Sequence, residues 1–163
     1  MQLTNEPTIM GIDASLTSTG VAITTFEQKI AILHTIKTNA DTPIHKRIHF
    51  VYMELEKIID ENYVRLILCE NNYTGGSKEV NWVIGIIFLI AAKKGIEIKT
   101  YAPASIKKAI TGNGRASKKE IKPAIHKIYG ELRTNEHVRD ALAIIHCYFA
   151  KEEGEEIYIN KWL

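Results

Sequence analysis

The sequence has only two cysteines, and neither belongs to a C-x-x-C pair. Cys69 and Cys147 each lie inside an apolar run, far apart along the chain. Such cysteines are typical packing residues of a reduced, intracellular protein, although the sequence is also compatible with a disulfide between them. The low cysteine content therefore favours a cytoplasmic protein that is stabilised by its core rather than by cross-links.

Long hydrophobic runs are also lacking, and no leader segment is expected. The most apolar window, residues 82–92, is too short to span a bilayer and is followed by Lys93 and Lys94, so it predicts a buried helix. No basic segment followed by an apolar stretch opens the chain, and no repeat, linker or low-complexity segment interrupts it. With 163 residues, 45% of them hydrophobic and 25% charged, the chain is expected to form a single domain over residues 1–163 that has no membrane partner.

What is present is an alternation of predicted strands and helices. Apolar runs, most of them rich in Val, Ile and Thr, predict strands at residues 7–13, 20–26, 30–36, 64–70 and 96–102. Helical spacing predicts helices at residues 43–60, in the apolar segment ending at Lys94, at 103–110, from 118 to about 129, and from about 136 to 152. Three early strands followed by strand–helix–strand crossovers predict an α/β fold, with a mixed sheet and helices on its faces.

Several predicted helices begin at residues suited to capping. Asp41 or Thr42 is expected to cap the first helix. Ser117 and Glu120 have the S-x-x-E spacing of a capping box, and Asn135 precedes the last helix. These signals set the expected helix starts.

Two of the predicted strands end on a carboxylate, Asp13 in the first strand and Glu70 in the fourth. Sites in open α/β sheets gather at the carboxyl ends of strands, so these two side chains converge if their strands are neighbours. His137 and Asp140 are three residues apart, on one face of the last helix and in its first turns. Buried carboxylates that lie close together repel each other, and a hard divalent cation with oxygen ligands relieves that repulsion.

Asp13, Glu70, His137 and Asp140 are therefore predicted to form one catalytic and metal-binding cluster. Such a cluster suits two divalent ions about 3.5–4 Å apart that clamp a phosphodiester for in-line hydrolysis. Each residue alone also has an ordinary explanation, because aspartates often form turns and acids near helix starts interact favourably with the helix dipole. The combination, rather than any single residue, points to catalysis.

Positive charge is concentrated in one segment of a chain whose net charge is only +2. Residues 99–127 contain eight lysines and arginines and a single acid, Glu120. This imbalance indicates a polyanion partner, with a solvated helix face as the competing interpretation. The basic residues predicted to contact such a partner are Lys107, Lys108, Arg115, Lys118 and Lys119.

Four blocks of the sequence resemble the RuvC-type Holliday-junction resolvases, a family with the RNase H-like fold. GIDASLTSTG is similar to the family's opening G-I-D-P-G…T-G element, and ILCENNY to its central glutamate followed by an aromatic residue. YAPASIKKAITGNGRASKKEI is similar to the Y-x-P…K…G-x-G-x-A-x-K segment, which is the most specific match, and HVRDALAIIHC to the D-x-x-D-A-L-A-x-A helix. The blocks occur in order over residues 8–149.

The resemblance implies a mixed five-stranded sheet with helices on both faces. It also implies an endonuclease that resolves four-way DNA junctions in recombination and repair by paired, metal-dependent hydrolysis, using two Mg²⁺ or Mn²⁺ ions per site and no small-molecule cofactor. Asp13 would bridge both ions, and Glu70 would bind the ion on the leaving-group side. His137 and Asp140 would complete the site on the nucleophile side.

The resemblance also assigns residues to DNA. Tyr73 matches the aromatic residue that stacks on an unpaired base near the crossover. Lys107 and Lys118 match basic residues that contact DNA near the scissile phosphate. These residue types suit these tasks physically, because aromatic rings stack on bases and lysines bind phosphates.

The sequence departs from the family pattern at two places. Ala14 and Ser15 replace the frequent Pro-Gly after the first aspartate, and His137 stands where most members have a carboxylate, although some are similar in carrying histidine. An imidazole suits Mn²⁺ better than Mg²⁺. We therefore expect cleavage to favour Mn²⁺.

Three competing functions are compatible with parts of the sequence. The opening stretch also resembles the phosphate-binding hairpin of actin-like and sugar-kinase-like ATPases, which need a second lobe for which this chain has no room. The fold could instead serve as a catalytically weak DNA-binding scaffold. It could also belong to a nuclease that acts on flaps, forks or RNA–DNA hybrids.

Paired cleavage of a symmetric junction calls for a two-fold symmetric enzyme, so a homodimer is predicted. The apolar segment that contains Trp82 and Phe88 is the candidate interface. Simple burial of that segment in the core would explain its composition equally well.

Overall fold

The computed structural model describes residues 5–71 and 75–152. Its strands are β1 (Thr8–Asp13), β2 (Ser18–Thr25), β3 (Ile30–Lys37), β4 (Val64–Glu70) and β5 (Glu97–Tyr101). They form one sheet in the order β3-β2-β1-β4-β5. The first three strands are antiparallel neighbours, whereas β4 and β5 run parallel to β1. The predicted mixed five-stranded sheet is confirmed.

Helices cover both faces of this sheet, as predicted. They are α1 (Ile44–Glu61), α2 (Lys78–Lys94), α3 (Pro103–Thr111), α4 (Lys118–Tyr129) and α5 (Glu136–Glu152). One core cluster joins the sheet to α1 and α2, and a second joins the opposite face to α3, α4 and α5. Among the described residues, no helix is long and apolar enough to cross a membrane.

The helix ends match the capping signals with one exception. Ser117 and Glu120 form the predicted capping box on α4, and Asn135 Oδ1 accepts a hydrogen bond from the Val138 N–H in the first turn of α5. The prediction that Asp41 or Thr42 caps α1 is wrong. Pro43 occupies the N-cap position instead, and no side chain caps this helix, so the amino end of α1 keeps its dipole uncompensated.

The last helix lies unusually close to the sheet because two strands present glycine to it. A Cβ atom on Gly20 of β2 would collide with the backbone carbonyl of His137, and one on Gly11 of β1 would collide with that of Ala141. No side chain other than glycine's hydrogen fits between these backbones. The two glycines therefore set the height of α5 over the strand that carries Asp13.

Candidate active site

Asp13 ends β1 at the carboxyl edge of the sheet. Its register partner on β2 is Gly20, and the preceding residue, Ile12, pairs with Cys69 of the parallel strand β4. Side chains alternate between the two faces of a strand, so Asp13 shares with Gly11 the face covered by α5. Glu70, which ends β4, shares the corresponding face with Leu68, a residue of the core cluster around α5. The structure thus brings the two strand-end carboxylates to the same edge and face.

The Asp13 carboxylate is largely enclosed, with 23% of its side chain exposed. Burial, together with the smaller effect of the negative charges of Asp140 and Glu70, raises its pKa to about 6, against the opposing hydrogen bond and charge of His137. Charged groups that are brought together at a cost to folding are typical of functional sites.

His137 lies in the first turn of α5 and reaches across to β1. Its Nδ1 atom is 2.8 Å from Oδ2 of Asp13. An ionised carboxylate only accepts hydrogen bonds, so Nδ1 is the donor in this pair. The cap residue Asn135 also donates from Nδ2 to the Thr35 hydroxyl of β3 at 2.8 Å, which fixes the start of α5 against the sheet.

Glu70 and Asp140 line one cleft of about 230 Å³ together with Lys107 of α3 and Lys118 of α4. Burial raises the pKa of Asp140, and the positive charge of Lys118 opposes that rise. Two carboxylates and two lysines therefore face the same space. This mixture suits a ligand that carries negative charge and is held partly through a cation.

The other described residues predicted to contact DNA do not line the cleft that contains Glu70 and Asp140. Lys119 lines a neighbouring cavity that shares Lys118 and Asp140 with the cleft. Lys108, on α3, and Arg115, in the loop before α4, are exposed and line neither cavity. Tyr73 lies outside the described residues, so its predicted role stays a prediction.

Arg139 lines the cavity beside Asp140 and was not among the residues predicted from the sequence. Its Nη1 donates to the carbonyl of Thr134 at 2.6 Å, which anchors the side chain next to the start of α5. The basic segment identified by charge ends at residue 127, twelve positions before it. Arg139 could have been predicted from its position in the sequence, because it lies between the predicted ligands His137 and Asp140.

The four predicted ligands face one region of the structure but do not surround a single ion position. Within residues 5–71 and 75–152, no three histidine, cysteine, aspartate or glutamate side chains are packed closely enough to hold an ion. The donor set nevertheless fits a divalent cation, because Asp13 and Asp140 are partly buried carboxylates whose pKa values are raised. A hard cation among such oxygens compensates their charge, and an imidazole is a compatible additional ligand.

Comparison with protein families identifies sequence similarity over most of the chain. A family model described as crossover junction endodeoxyribonuclease RuvC matches residues 9–148. The protein of that name from Corynebacterium diphtheriae is 31% identical over 149 residues, which is 85% of this chain and 91% of that protein. The one from Thermus thermophilus is 26% identical over 157 residues, which is 88% of this chain and 95% of that protein. The matched range contains all four predicted ligands.

Solved structures share the fold. The chain superposes on Thermus thermophilus RuvC in complex with a Holliday junction substrate with a TM-score of 0.80, at 22% identity, covering 90% of this chain and 96% of the other. A second structure of Thermus thermophilus RuvC gives a TM-score of 0.77 over the same shares of both chains. The expected RNase H-like fold is confirmed.

Proposed function

The chain belongs to the RuvC family of crossover junction endodeoxyribonucleases, and from this we propose that it is a structure-selective DNA endonuclease that resolves four-way junctions by metal-dependent hydrolysis of phosphodiester bonds. One observation carries the proposal. Asp13, held by His137, ends β1 next to β4, which ends on Glu70. Glu70 and Asp140 in turn face a cleft that also contains two lysines.

The proposed ligands are Asp13, Glu70, His137 and Asp140, holding two divalent ions. When bound, such ions neutralise the charge of the phosphodiester and lower the pKa of water for attack. Asp13 would contribute its carboxylate to the ions, since it is the residue whose charge is affected by His137, Asp140 and Glu70 together. The hydrogen bond from His137 orients the Asp13 carboxylate. The close packing of α5 against Gly11 and Gly20 in turn positions His137.

Lys107 and Lys118 are proposed to bind the DNA phosphates next to the scissile bond. Both line the cleft with Glu70 and Asp140, so a phosphate held by their ammonium groups lies beside the ligand set. Lys118 also stands 3.6 Å from Glu136 in an exposed ion pair, which is weak enough to yield to a phosphate. Lys108, Arg115 and Lys119 are proposed to contact DNA further from the bond that is cut, and Tyr73 is proposed to stack on an unpaired base near the crossover.

We also propose that the enzyme is a homodimer, because paired cuts in a symmetric junction need two sites related by a two-fold axis. An exposed stripe along α2 supports this. It consists of Lys78, Trp82, Gly85, Leu89 and Ala92, and we call it the α2 stripe. The alternating spacing of four and three residues is the spacing with which one helix faces another. Trp82 is 41% exposed and Leu89 59% exposed, which is unusual for such large apolar side chains.

The decisive experiment is cleavage of a synthetic four-way junction by the wild type and by Asp13→Asn, in Mg²⁺ and in Mn²⁺. The wild type is expected to make paired nicks in strands of like polarity, and Asp13→Asn to make none. Linear duplex, flap and fork substrates serve as controls. Equal cutting of flaps or forks would favour the broader branched-DNA nuclease, and junction binding without cleavage in either metal would favour the scaffold.

His137 provides a separate test of the metal site. An imidazole ligand disfavours Mg²⁺ relative to Mn²⁺, so His137→Asp is expected to narrow the difference in cleavage rate between the two metals. The measurement is the ratio of single-turnover rates in Mn²⁺ and Mg²⁺ for the wild type and the variant. An unchanged ratio in a folded, active His137→Asp protein would argue against His137 as a ligand.

A further inference from the structure

A second cationic pocket opens at the same edge of the sheet as Asp13, on the side of β3. Its volume is about 310 Å³. It is lined by Lys37, Thr38, Asn39, Thr42, Lys46, Arg47 and Phe50, and we call it the α1 pocket. Three of these residues are cations and none is an acid. The pocket lies outside the basic segment of residues 99–127, so it belongs neither to the predicted DNA contacts nor to the proposed active site.

Arg47 is the most unusual residue of the α1 pocket. It is only 9% exposed, although it is a charged side chain. Its Nε donates to the Thr38 hydroxyl at 2.9 Å, and its Nη2 donates to the Thr17 hydroxyl at 3.1 Å. In the part of the chain that the structure describes, both partners are neutral and no acidic side chain pairs with it. A buried cation without a counter-charge is costly, and an anion bound in the pocket relieves that cost.

The amino end of α1 adds positive potential to the same place. This helix has no side-chain cap and no acid in its first turn. In contrast, α2 and α4 both begin with a serine at the N-cap and an acid in the first turn. Lys46 lies in the exposed first turn of α1, and Lys37 is exposed at the end of β3. The helix dipole, the buried guanidinium and two exposed ammonium groups therefore converge on one cavity.

Hydrogen bonds join the α1 pocket to the loop that follows Asp13. The Thr38 hydroxyl donates to the carbonyl of Leu16 at 2.5 Å, and the Thr38 N–H donates to the carbonyl of Thr17 at 3.1 Å. Arg47 braces the same loop through the Thr17 hydroxyl. The α1 pocket is therefore joined by hydrogen bonds to the loop that follows Asp13.

The pocket lies across the sheet from the lysines of the active-site cleft. Gly20 pairs with Asp13 on one side and with Thr35 of β3 on the other. Neighbouring strands are about 4.8 Å apart, so β3 runs about 10 Å from β1. Lys37 lies two residues beyond Thr35, whereas Lys107 and Lys118 lie towards β4 and β5. The α1 pocket and the two lysines thus lie on either side of Asp13 along the edge of the sheet, and α1 covers the face opposite to α5.

We propose that the α1 pocket binds a backbone phosphate of the DNA substrate, on the side of the active site opposite to Lys107 and Lys118. The proposal rests on the proposed function for its ligand, since it takes the polyanion to be DNA. Lys37 and Lys46 contact the phosphate directly, and Arg47 supplies the fixed charge beneath them. Phe50, which is 47% exposed, offers an apolar surface to the adjoining sugar. A strand bound at both places would run over the carboxyl edge of the sheet beside Asp13, from the face covered by α1 to the face covered by α5.

The test compares two double variants in the Asp13→Asn background, which removes cleavage from the binding measurement. Lys37→Ala/Lys46→Ala removes the two exposed cations of the pocket. Lys29→Ala/Lys57→Ala is the matched control, because both of its lysines are exposed and lie outside the pocket and the cleft. Junction affinity is measured as a function of salt concentration. Each lost phosphate contact lowers the slope of log Kobs against log salt by about 0.9.

We expect the pocket variant to lose one to two units of salt slope and to bind the junction about tenfold or more weakly near 0.1 M salt, while the control keeps the parent slope. Lys37→Arg/Lys46→Arg, which preserves charge, is expected to retain binding. A parent-like slope in the alanine variant would overturn the proposal, and so would an arginine variant that binds as weakly as the alanine variant. If the wild type neither binds nor cuts a junction, the proposed function is wrong. If the wild type does both and Lys37→Ala/Lys46→Ala has no effect on binding, only the proposal for the α1 pocket is wrong.

Discussion

At the scale of single residues, Asp13 is a proposed metal ligand that lowers the stability of the metal-free protein. Burial, Asp140 and Glu70 raise its pKa from 3.8 to about 6. A raised carboxyl pKa means that the native state holds the proton more tightly than the unfolded state, so the metal-free protein becomes less stable as the pH rises from about 4 to about 6. At neutral pH this loss is complete, and it lowers the free energy of unfolding by at most roughly 3 kcal/mol.

Asp13→Asn is therefore expected to abolish cleavage and yet to raise the melting temperature of the chelator-treated protein at pH 7. At pH 4 the gain should largely vanish, because most of the wild-type Asp13 is then protonated in the folded state. Thermal unfolding of both proteins between pH 4 and pH 8 measures the effect. Asp41→Asn, at an exposed loop aspartate, is the control. A variant that is no more stable than the wild type at pH 7 would contradict the assigned cause.

The sequence was informative about Asp13, Glu70, His137 and Asp140 because each lies at the end of a periodic element. The apolar pattern stops at the ends of strands and helices, so a polar residue there can be recognised in the sequence. The edge of the sheet at which it lies can then be predicted. Arg47 was not found in this way. It occupies a position on the apolar face of α1, and only the structure reveals that its partners are two threonine hydroxyls.

At the scale of elements, the approach of α5 to β2 fixes the position of His137. Gly20→Ala places a Cβ against the His137 carbonyl, so α5 has to shift outwards. We expect destabilisation of about 1–3 kcal/mol, in the range of overpacked cores, and a fall in cleavage rate greater than the loss of folded protein explains. Denaturant unfolding and single-turnover cleavage of the same samples measure both quantities.

Gly75→Ala is the matched control, because a Cβ there meets nothing within 4 Å. It is expected to leave the rate and the free energy of unfolding within about 0.5 kcal/mol of the wild type. A Gly20→Ala protein that cuts at the wild-type rate would mean that the spacing between α5 and β2 does not set the geometry of the site.

The cap of α5 allows stability to be separated from function. Asn135→Ala removes the hydrogen bond to the Val138 N–H and the one to Thr35, whereas Ser77→Ala removes an analogous cap hydrogen bond from α2. Each is expected to cost about 1 kcal/mol of unfolding free energy. Only Asn135→Ala should lower the cleavage rate, because α5 carries His137 and Asp140. Equal effects of both variants on the rate would show that the cap has no part in positioning the site.

Element positions were largely predictable, because the apolar periodicity of this chain is strong and glycine or capping residues mark many of the ends. The error at α1 has a physical reason. Asp41 and Thr42 are both capping residue types, but Pro43 occupies the N-cap position after them and excludes their side chains from that role. The two glycines beneath α5 also escaped prediction, since a glycine in a strand does not reveal which helix lies over it.

At the scale of the whole molecule, the α2 stripe is the surface on which the proposed dimer depends. Leu89→Lys places a charge at the more exposed of its two large apolar side chains and is expected to produce a monomer that binds junctions weakly and no longer makes paired nicks. Analytical ultracentrifugation at micromolar concentration, together with nicking assays on a supercoiled cruciform, checks this. Ile128→Lys, at an exposed apolar position on the opposite face of the sheet, is the control. A wild-type monomer that makes paired nicks would contradict the dimer.

The hydrogen bond between Asp13 and His137 joins residues that are 124 positions apart in the chain. Synthesis proceeds from the amino end, and β1 with its hairpin partners emerges from the ribosome long before α5. A nascent chain would therefore carry Asp13 before it has α5, the helix that brings His137 to it. At the proposed site, DNA cleavage would thus have to wait until α5 has been synthesised and has docked on the sheet.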